Sequence, residues 1–157
     1  MKNILKYFAL AAVVFTTACD KDPDIWQTNT KDINGTWEVT VSVGGEVLSS
    51  HDDGGQVYIY NTNANNDSVW IQDNAWFGFK VKAGTNPQSL TFQNTDEELL
   101  NGIVIKNGVK VQPQYLLGGP ITVDSIYFEV KVEEDDGTLN TYQFSGYRHT
   151  GWEAYVE

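Results

Sequence analysis

From Gly35 onward the chain alternates. Trp37, Val39, Val41 and Val43 are interleaved with Thr36, Glu38, Thr40 and Ser42, a period of two that marks a strand with one face buried. Further strands are predicted over Gln56 to Asn61, Ser68 to Asp73, Trp76 to Lys82, Ser89 to Asn94, Ile103 to Gln112, Ile121 to Glu133 and Leu139 to His149. In the seventh, Ile126, Phe128, Val130 and Val132 share one face while Tyr127, Glu129 and Lys131 share the other. The turn after it is set by Asp136-Gly137, a strong hairpin signal. About eight short strands with regular turns describe an all-β, antiparallel sandwich or barrel. Asn107-Gly108 would raise the count to nine if it breaks the sixth segment into a hairpin. Asp96 to Leu100 is long enough for one helical turn, and no internal repeat or second domain is seen.

The first residues follow another pattern. Lys2 and Lys6 precede the apolar run Tyr7 to Phe15, and Thr16-Thr17-Ala18 precede the single cysteine, Cys19. A basic start, about ten apolar residues and small residues before a cut define a secretory signal over residues 1–18. The run is short of the roughly twenty residues that a membrane span needs. Small residues before Cys19 resemble the bacterial lipobox, which implies diacylglycerol on the Cys19 thiol, although Thr16 replaces the usual Leu or Val. Asp20-Lys21-Asp22-Pro23-Asp24 reads as a tether, so residues 19–34 are expected to be lipidated cysteine and linker, and 35–157 the barrel. An acidic stretch after such a cysteine resembles the mark of surface-displayed lipoproteins; a plain linker has the same composition. The expected location is therefore the outer membrane, with display on the cell surface as its extension.

Composition narrows the partners. The formal net charge is −11, which argues against nucleic acid or an anionic bilayer as a direct partner. With 7 Phe, 8 Tyr and 5 Trp, the chain has enough large apolar side chains for a packed core. Its lone cysteine rules out an intrachain disulfide.

Gly35-Thr36-Trp37 opens the first strand and Arg148 lies near the end of the last. In a closed antiparallel barrel these strands are neighbours, so both side chains point inward at the same end, where a cation–π contact contributes about 0.5–2 kcal/mol. Gly35-x-Trp37 with a late Arg148 resembles the closing signature of lipocalins and other calycins. A wider likeness runs through Tyr60-Asn61-Thr62, Val69-Trp70-Ile71, Trp76-Phe77-x-Phe79-Lys80, Thr122-x-Asp124-Ser125-Ile126-Tyr127-Phe128 and Ser145-Gly146-Tyr147-Arg148-His149-Thr150-Gly151-Trp152. These segments resemble a family of small bacterial surface lipoproteins described as lipid-binding putative hydrolase. The resemblance implies a calycin-like barrel of about eight strands and a hydrophobic ligand. It carries no agreed catalytic residues to transfer.

The residues themselves offer little chemistry. A serine hydrolase needs a nucleophile, a base and a group that orients the base. Asp124, Ser125 and His149 form the best set, yet consecutive strand residues face opposite sides and His149 is expected to point outward. His51-Asp52-Asp53 lacks a second ligand cluster at metal-binding spacing. The Asn61, Asn63, Asn65, Asp67 series lacks the glycine and distal glutamate of a calcium loop. No metal or cofactor is expected. Tyr58, Tyr60, Trp70, Trp76, Phe79, Phe92, Phe128 and Phe144 either line a cavity or fill it, since an eight-stranded barrel is just wide enough for either. The expected function is a membrane-anchored barrel that binds a small hydrophobic or lipid-like ligand. A non-catalytic interaction or glycan-binding module is the alternative, with Trp70 or Trp76 stacking on sugars. A weak lipid or ester hydrolase is the second.

Overall fold

Alternation carries over into ladders. The computed structural model describes residues 28–64, 66–94, 100–113, 119–151 and 154–156. The predicted signal, Cys19 and residues 20–27 lie outside them, as does most of the predicted helical turn. The strands are β1 (Gly35–Val43), β2 (Glu46–Ser49), β3 (Gln56–Asn61), β4 (Ser68–Asp73), β5 (Lys80–Asn86), β6 (Thr91–Gln93), β7 (Leu100–Pro113), β8 (Ile121–Glu133), β9 (Leu139–Arg148) and β10 (Ala154–Val156). Strands β1 and β3 to β9 pair antiparallel in chain order, and β9 returns to β1, giving a closed eight-stranded barrel. Closure leaves no free edge around the wall. β2 extends β1 at one end and β10 pairs with the far end of β7.

Several elements differ from the expected ones. Residues 74–79 form a loop rather than the start of a strand, because the Asp73 carboxylate takes the backbone N–H groups that a ladder would use. Asn107-Gly108 does not break its segment. β7 stays one strand with a register shift between Ile105 and Val109, and Asn107 adopts a φ of 52°, as in a bulge. β2 and β10 were not expected.

Inside, Trp37, Val39, Val41, Val57, Ile59, Val69, Ile71, Phe92, Phe128 and Phe144 are fully buried. Two glycines make room among them. A Cβ on Gly102 would collide with Phe128 and Phe92, and one on Gly146 with the Glu38 carbonyl.

The lower end is closed by a fork. Arg148 pairs with Trp37 across the ladder and stacks on its ring, 4.3 Å from guanidinium carbon to centroid. It donates to the Asn34 and Asp32 carbonyls and to Asp124 Oδ2 (3.2 Å). Gly35 lies beneath with φ near 149°, a conformation that side chains rarely adopt, and a Cβ there would meet Arg148 Nη1. That gives the Gly-x-Trp spacing its physical cause. The linker expected up to residue 34 ends earlier: Thr30 and Ile33 are buried, and the Asp32 and Asn34 carbonyls are held by Arg148.

Asp124 also meets Lys106 Nζ at 3.1 Å and the Asn107 N–H at 3.1 Å. Burial alone would raise its carboxyl, but the Asn107 N–H, Lys106 and Arg148 together hold it below its ordinary value. A depressed carboxyl contributes stability above its unfolded value of about 4 and loses it as pH falls through the folded one. Denaturation midpoints should therefore fall below about pH 4, and Asp124→Asn should flatten that acid limb while lowering the neutral plateau. Equal acid slopes in the two proteins would remove Asp124 from this role.

Candidate functional site

The upper end is built differently. β4 delivers Asp73 into the wall with no exposed surface. Its carboxylate accepts from Ala75 N (2.7 Å), Trp76 N (3.2 Å), Phe77 N (2.6 Å) and Gly78 N (3.1 Å). Four convergent N–H groups around one carboxylate satisfy a buried charge and fix the loop across the mouth. The loop then points Trp76 outward, 49 % exposed, and Phe77 into the barrel.

Phe77 starts a stack of rings. It meets Tyr142 edge-on at 4.6 Å and Phe144 at 6.5 Å. Phe79 meets Phe144 at 6.1 Å, and Phe144 lies flat on Phe128 at 4.5 Å. Phe92 continues from Phe128 at 5.9 Å. Around the mouth Val43, Ala75, Val81 and Val132 are half-buried against the core. The Tyr142 hydroxyl donates to Glu134 at the rim. Apolar walls and few polar groups are what a small-ligand site requires.

The eight aromatic candidates separate into groups. Phe79, Phe92, Phe128 and Phe144 face inward, the last three as fully buried core. Trp76 stands at the rim. Tyr58, Tyr60 and Trp70 are on the outside and line no interior. The reason is parity: Val57 and Ile59 on β3, and Val69 and Ile71 on β4, take the buried positions, which turns the aromatic residues between them outward. Phe77 and Tyr142 are not among those eight, although the parity that Tyr142 shares with Phe144 and Arg148 already turns it inward. Phe77 shares parity with Phe79, but reading this stretch as a strand from Trp76 concealed it.

The residues of the hydrolase alternative stay apart. Asp124 turns inward to Arg148, whereas His149 turns outward and its Nδ1 lies 2.5 Å from Glu38 Oε1. His51 opens a short 3-10 turn (His51–Asp53), capped by Ser50, whose N–H donates to Asp53 Oδ2. That turn folds over the outer face of β1 and β9, with His51 Nδ1 3.1 Å from Thr40 Oγ1 and its ring edge-on to Tyr147 at 5.6 Å. His51 thus meets Tyr147 and His149 meets Glu38, the ladder partner of Tyr147; the Tyr147 phenol is pushed up to about 12 by burial first, then by Glu38 and Asp52. Such a phenol stays protonated at neutral pH. The hydroxyl brought to His51 is that of Thr40, which also accepts from the His51 backbone N–H, and no cluster of three metal-ligating side chains occurs among the described residues.

A family model described as lipid-binding putative hydrolase matches residues 22–153. No curated protein matches the chain.

Proposed function

Since the chain belongs to the lipid-binding putative hydrolase family, we propose that it holds one small hydrophobic or lipid-like ligand at the upper mouth of its barrel. In this reading Cys19 carries the lipid that presents the barrel from the outer membrane, facing outward from the cell. Family and barrel fold together support a lipid-binding role. The observation that carries the choice of site is Phe77. A loop side chain, not a strand side chain, covers Tyr142 and Phe144, so an apolar chain can replace its ring without breaking a ladder. Each methylene buried there contributes about 0.8 kcal/mol. The lower half is filled by Trp37, Ile59, Ile126 and Phe128, which limits the ligand to a short apolar segment with its polar end at the rim.

Native mass spectrometry of the full chain should reveal a co-purified apolar molecule, and a polarity-sensitive probe should be taken up. Phe77→Ala should tighten probe binding about five- to tenfold, because the competing ring is removed. Absence of ligand and probe from both proteins would sink the proposal.

A further inference from the structure

Period two places Tyr58, Tyr60, Trp70, Gln72, Lys80 and Lys82 together on the outside of β3, β4 and β5. Tyr60 pairs with Trp70 and Trp70 with Lys82 across the ladders. The Lys80 ammonium lies 5.1 Å from the Trp70 ring and 5.4 Å from the Tyr60 ring, while the Tyr60 hydroxyl donates to Gln72 Oε1 at 3.2 Å. In a chain of formal charge −11, the outward positions of these three strands carry two ammonium groups and no carboxylate. Among the described residues neither lysine has an ion-pair partner. These outward positions also carry no aliphatic side chain, which sets the face apart from one made to enter hydrocarbon.

The face runs into a depression. Two positions beyond Lys82, Gly84 presents no side chain, and the nearest atom to a Cβ there is 3.8 Å away. A hollow of about 280 Å³, of mixed polar and apolar lining, opens at this point, bordered by Asp67, Asn86 and Gln93.

We propose that this outer face, from Trp70 and the two lysines to the hollow at Gly84, binds an oligosaccharide carrying one carboxylate sugar. Ring faces stack on the C–H surface of a sugar, the lysines meet its carboxylate, and amide, hydroxyl and Asp67 groups suit the hydroxyls of its neutral neighbours. One carboxylate fits better than a dense polyanion, which the overall negative charge repels. This goes beyond the lipid site at the mouth and shares with it only Phe92, a buried core ring that also borders the hollow.

Calorimetric titration of the full chain with 3′-sialyllactose should show binding, with lactose about tenfold weaker or undetected. Trp70→Ala and Gly84→Val should each weaken the acidic sugar about tenfold, and Lys80→Gln with Lys82→Gln should bring the two sugars to equal affinity. All four positions face outward, so melting temperatures should hold. Three results overturn the proposal: no binding of sialyllactose, equal affinity of the unsubstituted protein for both sugars, or an unchanged Trp70→Ala. Equally tight binding of glycerol 1-phosphate would make the face a headgroup contact and overturn it too. Probe uptake at the mouth is expected to be untouched in Trp70→Ala, so failure here is separate from failure of the lipid reading.

Discussion

Replacing Asp73 by alanine should destabilise the protein by about 3–5 kcal/mol, the range expected when one partner of a buried charged network is removed. Four N–H groups, from Ala75 to Gly78, lose their common acceptor at once. Asp73 has no exposed surface, so water does not readily take its place. Asp73→Asn keeps one acceptor oxygen but sets an NH2 against donors that need an acceptor, and about 2–3 kcal/mol is expected. Because the loop holds the competing Phe77 ring over the mouth, probe binding there should tighten in both variants. Urea denaturation of the three proteins checks this. A loss below about 1 kcal/mol for Asp73→Ala would show that the loop keeps its shape by other means.

Arg148→Met should cost about 3 kcal/mol while leaving the mouth intact. The methionine preserves an apolar stem on the Trp37 face, but the Asp32 and Asn34 carbonyls lose the guanidinium donors and Asp124 keeps only Lys106 and the Asn107 N–H of the three described. The guanidinium is partly open to water, which puts the expected loss at the lower end for such networks. Combining Arg148→Met with Trp37→Phe in a double-mutant cycle should give a coupling of about 1 kcal/mol, the part due to the ring contact. Ligand affinity should hold while the melting temperature falls. The opposite pattern, affinity lost at constant melting temperature, would mean that Trp37 and Arg148 do something other than close the barrel.

Strand parity made much of the site legible. It put Phe128 and Phe144 inside with Ile126 and Val130, and it turned His149 outward. The same rule, applied to Val57, Ile59, Val69 and Ile71, places Tyr58, Tyr60 and Trp70 outside, where the glycan-binding alternative needs Trp70 and the cavity expectation does not. Loops were harder. Nothing local in Asp73-Asn74-Ala75-Trp76 distinguishes a strand from a loop capped by a buried carboxylate, because the outcome depends on where the wall places Asp73. The approach of His51 to Tyr147 likewise joins residues far apart in sequence through a turn that folds over the barrel.

What the sequence determined by itself was the alternation, the turns and the ends of the barrel: period two, Asp136-Gly137, and Gly35-x-Trp37 with Arg148. These are set by backbone geometry within a few residues, or by a pairing that any closed antiparallel meander enforces. Tertiary structure alone decided that Phe77 covers the mouth, that Asp73 holds its loop and that Ile33 belongs to the floor. It also decided that a hollow opens at Gly84 beside the outward aromatic and cationic face. Each of these depends on distant segments meeting at one end or one side of a closed wall, and burial at that place, not the local pattern, determines which polar groups must pair.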